Sequence, residues 1–184
     1  DQLIRNFKEV AVDPTQARRR KFGMRAVVEE IVATLQSPLQ QAEVNVEIDM
    51  APAIVLDSYP GALGQILTHL VMNSLQHGFE GRVRGRITLC AQVQDTMVVL
   101  RYEDDGVGMS AQAARRAFDP FYTTKLGQGG SGLGLYIVYN LATGMLGGSV
   151  ALHTDLGAGV RFELVLPLVA PAAKDNQSNT AAFL

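Results

Sequence analysis

Residues 127–138 read GQGGSGLGLYIV, a glycine run that passes without a break into an apolar stretch. Glycine backbone lets peptide N–H groups come close to an anion, and a helix that follows aims its first N–H groups at the same place. Leu133, Leu135, Ile137 and Val138, continued by Leu141, Met145 and Leu146, supply that helix. Two spacings compete within the run. Gly127, Gly129 and Gly132 fit a dinucleotide fingerprint, whereas Gly130, Gly132 and Gly134 fit another kind of loop. The fingerprint must directly follow a buried strand, but Pro120 and the polar Thr123, Thr124 and Lys125 stand there. A Walker loop needs a Gly-Lys pair, and the sequence has none. Alone, the run also fits a plain flexible loop, so its neighbours decide.

Working outward, the 184 residues are 47% apolar and 18% charged, which is the composition of one globular domain with a proper core. A net charge of -2 gives no electrostatic reason to expect nucleic acid as a partner. Cys90 is the only cysteine, so no internal disulfide forms and a reducing, cytoplasmic setting is expected. No apolar run approaches the ~18 to 20 residues that span a bilayer, which leaves a longer parent chain free to be anchored in the inner membrane. Residues 1–20 read as the end of a helix, with Leu3, Ile4, Phe7 and Val10 at helical spacing, followed by a basic linker. Residues 21–169 read as the folded domain and 170–184 as a disordered tail.

Within the domain, helical patterns occupy 24–35 and 60–79, the second opened by Pro60, with a short piece at 111–117. Period-two patterns occupy 44–49, 54–56, 86–92, 97–104, 148–154 and 159–167. The expected fold is an α/β two-layer sandwich, a mixed sheet covered on one face by helices.

Three stretches carry chemistry. Along the 60–79 helix, Gln65, His69, Asn73, Gln76 and His77 form a polar stripe. Asn73 offers a hard oxygen ligand for magnesium, whereas a zinc site lacks further Cys or His in a ligand pattern. The stretch EDDGVGM at 103–109 is not a calcium loop, because Arg101 and Gln112 would fall where carboxylates are required. An ordinary turn accounts for Asp-Gly, but Asp105 beside Gly106 and Gly108 also provides an acceptor for an exocyclic amine. Residues 119–131 are expected to be a lid, with Phe118 and Phe121 anchoring its near end.

HLVMNSLQH, DDGVGM, FDPFYTTK and GGSGLGL, in this order, resemble the N box, first glycine box, F box and second glycine box of bacterial sensor histidine kinases. Their ATP-binding domain has the Bergerat-type fold of the superfamily that includes gyrase, Hsp90 and MutL. The closing GAGVRFELVLP resembles the family's last strand pair, so the likeness covers nearly the whole chain. It implies ATP and Mg2+ as cofactors, with Asn73 on the magnesium, Asp105 on the adenine amine and Gly108 shaping the pocket. Lys125 and the Ser131, Gly132, Leu133 and Gly134 backbone would lie near the phosphates. His69, Gln76 and His77 would face the nucleotide, although the family often has Asn in place of His69 and Lys or Arg in place of Gln76. Gyrase-like ATPases carry a Glu where this chain has His69, so hydrolysis is disfavoured. A serine-directed anti-sigma kinase and a regulatory ATP-binding module are the alternatives. The resemblance further implies a homodimeric parent whose acceptor histidine lies on an upstream dimerisation domain and passes its phosphoryl group to a response regulator. The residues here alone would then not autophosphorylate.

Overall fold

The computed structural model describes residues 18–125 and 130–172. The readings of 1–17 as a helix end and of 173–184 as a tail lie outside the described residues, as does the middle of the expected lid, 126–129.

Alternation of apolar and polar residues builds the main sheet from β2 (Val44–Met50), β4 (Gly85–Gln94), β5 (Met97–Asp104), β6 (Ser149–Thr154) and β7 (Val160–Pro167). The order is β2-β4-β5-β7-β6, with β2 parallel to β4 and every other pair antiparallel. Val98, Leu100 and Tyr102 of β5 and Phe162, Leu164 and Leu166 of β7 are buried on the inner face. On the outer face the same strands carry paired charges, Arg101 with Glu163 at 2.8 Å and Arg161 with Glu103 at 2.7 Å.

Helices α1 (Met24–Thr34), α3 (Pro60–Asn73) and α5 (Gly134–Asn140) cover the inner face, and α3 contacts both of the others. Pro60 opens α3, where its fixed φ fits and its missing N–H costs nothing. Ala62, Leu63, Ile66, Leu67, Leu70 and Val71 are buried along it. A single such Leu→Ala change typically costs about 2 to 5 kcal/mol. Two short helices, α2 (Gln36–Gln41) and α4 (Ala111–Arg116), complete the set, α4 capped by Ser110 Oγ accepting from Ala113 N–H. The helical pattern read through residue 79 stops being α-helical at Ser74. Ser74–Gly78 is a π-helical turn closed by Phe79 N–H on the Ser74 carbonyl, and Leu141–Met145 repeats the device after α5.

A second, two-stranded sheet pairs β1 (Arg20–Gly23) antiparallel with β3 (Val55–Ser58). Residues read as the end of a linker thus take part in the fold, and Arg19 holds Asp57 at 2.8 Å. At the other end Ala170 is buried and Tyr59 Oη donates to the Pro171 carbonyl. Among the described residues no helix is long and apolar enough to cross a membrane.

Candidate functional site

The end of β5 meets the π turn after α3. Strand alternation turns Asp104 inward in line with Val98, Leu100 and Tyr102, leaving it 5% exposed. Its Oδ1 accepts from Gly106 N–H at 3.0 Å and Val160 N–H at 3.3 Å, and its Oδ2 accepts from Ser74 Oγ. Burial pushes this carboxyl above its usual range, while those donors oppose the shift. Tyr102 Oη stands 2.8 Å from Ser74 Oγ and 3.2 Å from the Leu70 carbonyl. Gly78 closes the corner, its carbonyl accepting from Val107 N–H at 2.8 Å. A Cβ on Gly106 would fall 2.5 Å from that carbonyl, so the two segments meet only where glycine stands.

The sequence reading of Asp105 needs correction here. Asp105 points to the surface, where its carboxylate accepts from Arg86 N–H at 2.8 Å and pairs with Arg82 at 3.4 Å. The inward carboxylate is its neighbour, Asp104, because β5 runs through residue 104 and the face is fixed by its register.

A cleft of about 700 Å³ opens beside this corner. Of the residues singled out in the sequence, His69, Asn73, Gln76, His77, Gly108, Ser131, Gly132 and Gly134 line it. The polar stripe of α3 makes one wall, as the helical period requires. Asp104 stands three residues before Val107, which lines the cleft, and is packed against Gly78, which follows the cleft residue His77. Asn73 makes no side-chain hydrogen bond within the described residues. Those residues hold no cluster of three or more His, Cys, Asp or Glu able to cage a metal. A lone amide oxygen of this kind suits magnesium that arrives with phosphates and keeps waters in its other positions. Burial lowers the pKa of His69, and burial with the nearby Lys125 charge lowers that of His77, both favouring neutral imidazoles.

Lys125 does not line the cleft. Its Nζ is bound to Glu80 at 2.9 Å and to the Gln76 carbonyl, so the lysine expected to await an anion already has one. Glu80 itself lines the cleft and escaped the sequence reading, as did Ser74 and Tyr102 in their polar roles. Leu133 is buried, and its N–H donates to Ser131 Oγ at 3.3 Å. Gly132 has φ +68 and its Cβ would meet the Phe121 carbonyl carbon at 2.4 Å, which joins the FDPFYTTK segment to the glycine run. Phe118 anchors that segment through ring contacts to Tyr139 and Phe162. Phe121 does not anchor it: its ring is 65% exposed at φ +64, and Tyr122 holds the segment instead, with Arg116 4.5 Å above its ring.

A cleft walled by the Asn73 helix, the first glycine turn and the second glycine loop, on a mixed sheet covered by helices, defines the class of the fold: a Bergerat-type nucleotide-binding sandwich. Residues 59–170 match the family described as "Histidine kinase-, DNA gyrase B-, and HSP90-like ATPase", and the chain belongs to that family. Its relatives are sensor kinases. The chain is 32% identical over 130 residues to the autoinducer 2 sensor kinase/phosphatase LuxQ of Vibrio cholerae, covering 68% of this chain and 15% of that protein. It is 32% identical over 120 residues to the alginate biosynthesis sensor protein KinB of Pseudomonas aeruginosa, covering 65% and 19%. The chain thus spans less than a fifth of the length of these relatives. The catalytic domain of histidine kinase ThkA superposes with a TM-score of 0.72 at 21% identity, covering 83% of this chain and 97% of that one. Full-length ShkA in complex with AMPPNP superposes with a TM-score of 0.72 at 24% identity, over 92% of this chain and 35% of that one.

Proposed function

We propose that this chain is the ATP-binding catalytic part of a sensor histidine kinase. In the complete protein it would transfer the γ-phosphoryl group of ATP to a histidine on an upstream dimerisation domain of a homodimer. From there the group would pass to a response-regulator aspartate. The observation that carries the reading is the convergence of the four boxes on one cleft, with the buried Asp104 three residues before Val107, which lines it. Family membership supports it, as does the ThkA structure solved with the response regulator protein TrrA.

In this reading Asp104, rather than Asp105, accepts a hydrogen bond from the adenine amine, and Val107 and Gly108 flank the base. Asn73 would hold the magnesium that accompanies the phosphates, with His69, Gln76 and His77 along the same wall. The metal would neutralise charge that develops on the transferred phosphoryl group. Ser131, Gly132 and Gly134 bring backbone N–H groups to the phosphate end, and Lys125 supplies a cation once it leaves Glu80. Such transfer depends mostly on positioning and charge stabilisation, and the neutral His69 offers no carboxylate to activate water.

The test joins the chain to its own upstream helices and supplies γ-labelled ATP. Base-stable, acid-labile label on histidine is expected there and none on the chain alone. Acid-stable phosphoserine would favour the serine-kinase alternative. Asn73→Ala should weaken ATP binding chiefly when magnesium is present, and equal losses with and without the metal would remove Asn73 from that role.

A further inference from the structure

The Ser74 hydroxyl has one proton, and an ionised Asp104 beside it sets where that proton goes. Asp104 Oδ2 is an acceptor when ionised, so Ser74 donates to it. Ser74 Oγ is then free to accept from Tyr102 Oη, 2.8 Å away. The competing acceptor for the phenol proton, the Leu70 carbonyl, lies farther off at 3.2 Å and already accepts from Ser74 N–H. With the carboxylate ionised and the phenol turned to the nearer Ser74 Oγ, every proton in the row Tyr102, Ser74, Asp104 points toward the carboxylate. The π turn brings Ser74 into this row, and strand alternation puts Tyr102 and Asp104 on the same face.

Resting on the nucleotide reading above, we infer that Tyr102 and Ser74 are positioning residues that hold Asp104 as an acceptor and so select a 6-amino purine over a 6-oxo purine. Oδ1 already takes two backbone N–H groups, whereas Oδ2 takes only Ser74 and keeps one acceptor position free. A 6-amino group can fill that position. A 6-oxo group would bring an acceptor against an acceptor, and a Ser74 hydroxyl released from Tyr102 could turn to meet it. Tyr102 thus acts through Ser74, without touching the nucleotide. Tyr102 is fully buried and its hydroxyl has no route to water, which keeps the row intact.

The experiment measures magnesium-dependent binding by calorimetry of ATP, purine riboside triphosphate, which lacks the 6-amino group, and inosine triphosphate, which carries a 6-oxo group. Wild type, Tyr102→Phe, Ser74→Ala, the double variant and Asp104→Asn are compared, each checked for cooperative melting. The preference for ATP over purine riboside triphosphate should fall about three- to tenfold in Tyr102→Phe, the size of one net hydrogen bond. Binding of purine riboside triphosphate itself should stay the same. The double variant should lose no more than Ser74→Ala alone, because the phenol acts only through the hydroxyl. Equal weakening of all three nucleotides in Tyr102→Phe, or additive losses in the double variant, would overturn the inference and leave a purely structural role. Loss of amine preference in Asp104→Asn alone would overturn it while sustaining the adenine reading. Absence of ATP binding by the wild type would overturn both.

Discussion

Exchanging Asp104 for asparagine keeps the shape of the buried corner and removes its charge. In the variant Oδ1 can still accept from Gly106 and Val160 N–H, and the new amide can donate to Ser74 Oγ, so the three groups around it remain partnered. What is lost is the acceptor offered to the base, since an amide N–H now faces the 6-amino group. A hydrogen bond to a charged group is worth about 1.5 to 3 kcal/mol, which converts to roughly ten- to a hundredfold weaker ATP binding. Asp105→Asn is the matched control. Asp105 pairs with Arg82 at 3.4 Å with both side chains well exposed, and such pairs contribute about 0 to 1 kcal/mol. Its change should leave affinity within about twofold. Calorimetric titration of both variants with ATP and magnesium, beside thermal melts, reads the two effects separately. Equal losses in the two variants, or a larger loss in Asp105→Asn, would refute the assignment of the inward carboxylate to the base.

Glu80→Gln should free Lys125 and raise ATP affinity by up to about fivefold at low salt, fading as salt screens the charge; titrations at two ionic strengths check this, and weaker binding would refute it. Burial lowers the pKa of His69, so between that lowered value and the ordinary 6.5 the unfolded chain binds more protons than the folded one. The share of stability that His69 contributes is therefore present above pH 6.5 and lost as pH falls through the lowered value. Melts from pH 5 to 8 should show a shallower slope in His69→Asn, and identical slopes would refute it. Amide exchange at residues 123–125 and 130–131 should slow when a non-hydrolysable ATP analogue binds, because phosphates give Lys125 and the glycine backbone a shared partner. Unchanged exchange would count against a lid.

The architecture was legible because each element has a strong period. β5 and β7 alternate cleanly, α3 repeats its apolar residues on one broad face, and Pro60 marks where that helix starts. The same alternation contained the identity of the inward carboxylate: counting by twos from Val98 reaches Asp104, and reading the Asp-Gly turn in place of the strand moved the choice to Asp105. Other features had no local signal. The π turn at Ser74 depends on where Gly78 and Gly106 meet across the fold, and Lys125 finds Glu80 only after two distant segments are brought together. β1 was hidden because RKFG has too few residues to display a period and follows a run of arginines. The exposed ring of Phe121 was missed since aromatic type indicates burial on average, while its backbone conformation is set by contact with Gly132.

The crossed charges on the outer sheet face act on alignment. Sliding β7 along β5 by two residues would leave Phe162, Leu164 and Leu166 on the inner face, so hydrophobic burial alone permits the slip. The slip would place Arg101 opposite Arg161 in one direction and Glu103 opposite Glu163 in the other, because the two pairs carry opposite polarity. Each misalignment breaks both attractions and adds a repulsion, with each cross-strand term on the order of 0.2 to 1 kcal/mol. The pairs therefore proofread strand register, and through it they keep Asp104 level with Val160, whose N–H it needs.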